Sequence, residues 1–124
     1  MEIILSHIKK IAFAFEGLTG VFICTIPKAG DYVAFWAAFR GIDGNEEMKA
    51  QKQAELVLNT FTKHITEVKF DKEITFKTVD GEVIEPLKAL KEFFSFQLYT
   101  KGMEFLNPTF GSDADPLGSS SGDS

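Results

Sequence analysis

The chain has 124 residues, 44% of them apolar and 25% charged, with a formal net charge of −5; these values fit one globular domain with a modest core, which the strand and helix patterns below make α+β, and argue against wholesale disorder. No apolar run approaches the ~20 residues of a membrane span. Setting aside Asp113, Asp115 and Asp123 near the C-terminus leaves the rest nearly neutral, which argues against nucleic acid as a partner because phosphate binding needs a basic surface.

The start, "MEIILSHIKK", places its apolar residues before its lysines and offers no small-residue cleavage site. That is the reverse of a secretory signal, so a soluble, cytoplasmic protein is expected. In "HIKKIAFAFEG", Ile11, Phe13 and Phe15 alternate with Ala12 and Ala14, which predicts a strand. "LTG" is read as a turn with Gly17 and Gly20 near its ends, and "VFICTI" as a second strand stopped by Pro27. Together they predict an N-terminal antiparallel hairpin. Cys24 is the single cysteine and lies within the second strand, where a buried, inert thiol is expected.

After Pro27, Asp31 is expected to cap a helix running to about Arg40. Tyr32, Phe35, Trp36 and Phe39 occupy one broad face of it, and Val33, Ala34, Ala37 and Ala38 fill the rest. A helix apolar all round is buried on all sides or covered by a partner. "GIDGN" ends it, and Asn45 can cap a second helix with Glu46 and Glu47 in the first turn, where negative charge suits the helix dipole. Ala54, Leu58, Phe61, Ile65 and Val68 step by four and three along this helix and form its expected core stripe, opposite Lys49, Lys52, Gln53, Asn59 and Lys63.

"EITFKTVDGEVIE" predicts a small second hairpin turning on Asp80-Gly81. Pro86 suits a first helical position, and a third and last helix is expected to run from there toward Gly102. It carries two stripes, one of Leu87, Leu90, Phe94 and Leu98 and another of Phe93, Phe96, Thr100 and Met103. Beyond Asn107-Pro108 the chain is rich in Gly, Ser and Asp; residues 1–109 are therefore expected to form the domain and 110–124 a disordered tail.

Catalytic patterns are lacking. His7 and His64 have no partner at zinc-type spacing, the glycines do not form a phosphate loop, and no histidine stands near a candidate serine in a nucleophile motif. A non-enzymatic binding protein without metal or cofactor is the expectation. Its candidate partner-binding residues are Tyr32, Phe35, Trp36, Phe39, Phe93, Phe96 and Met103, because two helices this apolar offer more surface than a small domain encloses. Trp36, at the edge of its stripe, is expected at the boundary between core and interface, with the last helix supplying neighbouring contacts.

The order of elements resembles the small tail assembly chaperones of long-tailed bacteriophages. The likeness runs from about Ile8 to Phe110 and rests on layout, on "FICTIPKAGDYVAF" and on "VDGEVIEPLKALKEFF". It implies a protein that binds the long apolar tape-measure protein, keeps it soluble and helps tail-tube subunits assemble around it. It also implies a longer frameshifted form diverging after Phe110. Two other readings suit the composition. One is a small phage or bacterial inhibitor that blocks an enzyme complex, and the other a small apolar-ligand-binding domain whose phenylalanines line a pocket. Association with a second copy is a further expectation.

Overall fold

A computed structural model describes residues 1–107 and has an α+β fold. The expected tail, residues 110–124, lies outside the described residues. Strands β1 (Ile8–Phe15) and β2 (Leu18–Thr25) pair antiparallel from Ile8↔Thr25 to Phe15↔Leu18. The turn between them is Glu16-Gly17, with φ of 49° and 92°. Positive φ at both positions matches the right-handed twist of the flanking strands. Leu18 to Gly20, expected in the turn, are strand residues instead.

Gly20 is needed for close approach. A Cβ there would run into the carbonyl oxygen of Lys69 and come within 2.9 Å of the Phe13 ring. Lys69 belongs to β3 (Ile65–Phe70), which pairs antiparallel with β2 and completes a sheet of order β1-β2-β3.

Helix α1 (Ala29–Arg40) begins two residues before the expected Asp31. Asp31 sits in the first turn, where its carboxylate accepts the Lys28 backbone N–H at 2.8 Å. Helix α2 (Glu46–His64) starts at the expected cap, Asn45, whose Oδ1 accepts from the Met48 N–H at 2.9 Å. It ends earlier than the stripe implied: Ile65 and Val68 lie in β3. Within α2 the fully buried residues are Val57 and Phe61, while Leu58 is half-buried.

Strands β4 (Phe76–Lys77) and β5 (Val83–Ile84) form the second hairpin. Its turn is longer than the two residues expected. The Gly81 N–H donates to the Thr78 carbonyl at 3.0 Å, and Thr78 and Glu82 are bridged at 2.9 Å. Val79 and Asp80 therefore occupy the central positions, and Gly81 follows at φ 88°.

The expected last helix is two, giving four among the described residues. Helix α3 (Pro86–Phe93) and α4 (Ser95–Leu106) meet at Phe94, whose φ of −130° and ψ of 38° leave the helical region. Gly102, expected near the helix end, is buried in the interior of α4. A Cβ there would lie 2.9 Å from Val57 Cγ1 and 3.2 Å from Phe61 Cβ, so its absence lets α4 seat against α2.

One core joins these layers. Phe13 stacks on Phe22 at 4.5 Å, Phe22 meets Phe61 edge-on at 5.5 Å, and Phe61 meets Phe105 at 5.2 Å. Leu90, Leu98, Leu106 and Phe35 close around them. Phe61→Ala should lower the unfolding free energy by about 3–5 kcal/mol, read by urea denaturation. Gly20→Ala should cost about 1–3 kcal/mol by overpacking against a backbone that cannot swing aside. An unchanged midpoint for either would contradict the packing described.

Candidate functional site

The seven aromatic and methionine residues singled out in the sequence divide into two groups. Phe35 is 5% exposed and belongs to the core. Trp36 leans against it edge-on at 4.8 Å, and the Trp36 indole N–H donates to the Leu106 carbonyl at 3.0 Å. That bond satisfies one of the carbonyls left free at the end of α4. Phe39 is half-buried at 5.1 Å from Trp36, and Tyr32 is half-buried too. Burial, with the charge of Asp31 adding to it, pushes the Tyr32 hydroxyl above its ordinary pKa. Met103 is half-buried against the core. Phe35 thus cannot serve a partner, and Trp36 is fixed inward by its hydrogen bond.

Phe93 and Phe96 are different. They are 67% and 74% exposed. The break at Phe94 accounts for the contrast with their neighbour: Phe94 turns inward and stacks on Phe15 at 6.4 Å. Phe93 ends α3 outside, and Phe96 lies in the first turn of α4, stacked on Tyr99 at 6.3 Å. The Gln97 side chain donates to the Glu16 carboxylate at 2.8 Å and ties this corner to the first hairpin turn.

Beside Phe93 runs an apolar groove of about 360 Å³, lined by Leu18, Phe76, Ile84, Ala89 and Phe94, with Lys77 its one charged lining residue. Val83, on the strand that supplies Ile84, is also exposed. The β4–β5 hairpin and α3 form its walls; Leu18 of β2 and Phe94 lie near the sheet. Sequence reasoning missed the hairpin's share. The alternation of Phe76 with Lys77 and of Val83 with Ile84 was the available signal.

The two groups do not form one surface. Trp36 is anchored at Leu106, ten residues beyond Phe96, which is about 15 Å along α4 at the helical rise. The expectation that α1 and the last helix offer neighbouring contacts is therefore corrected for Phe93 and Phe96, which lie at the far end of α4 from Trp36; Met103 lies within a turn of Leu106 but is half-buried against the core.

No protein-family model, curated protein or solved structure matches the chain.

The polar chemistry is sparse. Among the described residues no group of three or more His, Cys, Asp or Glu is placed to hold a metal ion, and no helix is long and apolar enough to cross a membrane. His64 is half-buried, with Nδ1 2.9 Å from the Thr25 hydroxyl and its ring 5.6 Å from Phe105.

Cys24 is fully buried, and burial pushes its thiol up to about 11 against a smaller opposing effect of the Lys9 charge. Between pH 9 and 11 the thiol ionises in the unfolded chain but stays protonated in the folded one, so unfolding releases a proton. Stability should fall as pH rises through that window, and Cys24→Ala should remove this part of the slope in urea titrations at successive pH values. On the surface, Phe93→Ala and Phe96→Ala should each leave the unfolding free energy within about 0.5 kcal/mol of the parent. Trp36→Ala should cost about 3 kcal/mol through lost packing and an unpaired Leu106 carbonyl.

Proposed function

We propose that the protein is a non-enzymatic chaperone that holds an apolar face of an amphipathic helix in the groove lined by Phe93, with the exposed Phe96 as a further anchor. The observation that carries this reading is Phe93, two-thirds exposed in the lining of an apolar groove, with the exposed Phe96 on the other side of the Phe94 break. Helical targets are commonly recognised by laying their apolar stripe into such a groove. Phenylalanine gives area without a hydrogen-bonding requirement, so the surface accepts many related apolar faces in turn.

The resemblance in layout to phage tail assembly chaperones supplies the client: a tape-measure protein, long and helical, with tail-tube subunits following as it is coated in the host cytoplasm. A chaperone for such a client must bind repeated apolar stripes without selecting one sequence. The groove suits that task through its shape and its near lack of charge.

Co-expression with the tape-measure protein of the same genome tests the reading. The parent chain should keep the client in the soluble fraction, and a fragment of the client should bind with a Kd raised at least tenfold by Phe93→Ser or Phe96→Ser, an anchor loss of about 1.4 kcal/mol or more. Melting temperatures of these variants should match the parent. Recovery of an enzyme complex instead of the tape-measure protein would favour the inhibitor reading, and client binding untouched by both substitutions would remove the groove from the function.

A further inference from the structure

Phe93 and Ile84 stand between two clefts and line both of them. On one side is the apolar groove of about 360 Å³, which includes Lys77. On the other is a cleft of about 310 Å³ that carries Glu82, Glu85 and Glu92 against a single lysine, Lys88. The face is therefore positive at one flank, apolar in the middle and net negative at the other flank.

The phasing of α3 sets this order. Ala89 and Phe93 are one turn apart and line the groove, while Lys88 and Glu92, also one turn apart, fall on the adjacent stripe and line the second cleft. One stripe thus presents a methyl group within the groove and, a turn later, a ring that is 67% exposed. A hollow and a projection lie side by side. A cavity of roughly 150 Å³ already admits benzene, so a groove of about 360 Å³ has room for a phenyl ring.

We infer that two copies of the chain associate through this face about a two-fold axis, each setting its Phe93 ring in the other's groove and its Glu92 beside the other's Lys77. A two-fold interface brings the same patch from both copies, so the patch must complement itself. Lys77 lines the groove and not the second cleft; Glu92 lines the second cleft and not the groove. Across the face the order is Lys77, groove, Phe93, Glu92. An axis in the interface plane between groove and ring reverses that order in the partner. Groove then meets ring, and Lys77 meets Glu92, twice over.

Charge favours this occupant. Among the described residues the one ion pair is Lys101 with Glu104, so both Lys77 and Glu92 are free to pair across the interface. Val83, 64% exposed in the second cleft, adds apolar area beside the acidic flank. Opposed charges at the rim of an apolar contact fix its register and disfavour wrong pairings. A client helix would displace the partner's ring from the groove. That consequence rests on the proposed function; the dimer itself does not.

Sedimentation equilibrium of the full chain, without client, tests the dimer. The parent should sediment as a concentration-dependent dimer, and Phe93→Ser should raise its dissociation constant at least about tenfold by removing an aromatic anchor from both sides. Lys77→Glu and Glu92→Lys should each weaken it about tenfold, because each turns two attractions into two repulsions. Combining the two charge reversals should bring the constant back to within about threefold of the parent, since the pairs are restored with their signs exchanged. In dilute solution, where monomer prevails, all these variants should melt with the parent. A parent that stays monomeric up to millimolar concentration, a dimer indifferent to Phe93→Ser, or charge reversals that have no effect or are not relieved by combination would overturn the inference. Because no client is present, its failure is distinct from failure of the proposed function, which the co-expression experiment reads.

Discussion

Phe61 is the point through which the layers of this protein communicate. Its ring meets Phe22 of the sheet on one side and Phe105 of α4 on the other, and it has no exposed surface. Three successive ring contacts from Phe13 to Phe105 thus connect the middle of β1 to the end of α4. For that column to close, α4 must come unusually near α2, and Gly102 permits it by leaving Val57 and Phe61 the space a Cβ would take. Glycine in a helix interior costs about 1 kcal/mol in propensity. Burial of Phe61, Phe105 and Leu106 offsets this several-fold.

Seating α4 in this way dictates the corner at Phe94. Helix α3 buries Ala89 and Leu90 and α4 buries Leu98, while the chain between them must also bring Phe94 onto Phe15. The departure from helical geometry at Phe94 satisfies these demands together, and Phe93 and Phe96 are left outside. Their exposure is a consequence of core packing at the adjacent residue. Burying them within the same chain would require another element over the β4–β5 hairpin, and none of the described residues supplies one.

Several parts of this arrangement were legible in the sequence because a single local rule governed them. Asn45 caps α2, Pro86 opens α3, and the alternation of Ile11, Phe13 and Phe15 set the inward face of β1. Of the stripe Phe93, Phe96, Thr100 and Met103, the first three are exposed, while Met103 is half-buried against the core. Where two patterns shared the same residues, reading failed. Ile65 and Val68 continue the helical spacing of Phe61, but they also belong to the β-rich run "ITEVKF", and pairing with β2 decided for a strand. The extra residue Thr66 is absorbed at a bulge opposite Ile23 and Cys24, where its hydroxyl donates to the Ile23 carbonyl at 3.0 Å. The break at Phe94 had no local signal, since neither Gly nor Pro marks it; only the tertiary contact with Phe15 requires it.

The apolar helix α1 shows why composition alone overstates the need for a partner. Its aromatic face lies against the domain through Phe35 and through the Trp36 hydrogen bond to Leu106. The outward face consists of Gly30, Val33, Ala34, Ala37 and Ala38, all exposed. Alanine presents little apolar area to water, and at about 25 cal/mol per Å² little is gained by covering it. A flank of alanines therefore does the work of a polar flank. Val33 is the one larger side chain there, and single exposed aliphatics are ordinary on soluble proteins. The same argument gives the opposite answer at the Phe94 corner. There Phe93 joins Leu18, Phe76, Ile84 and Phe94 around one apolar groove, and it is contiguity that makes exposed apolar surface costly and marks it for association. The difference between the two helical regions lies in side-chain size on the outward face, which hydrophobic periodicity does not register.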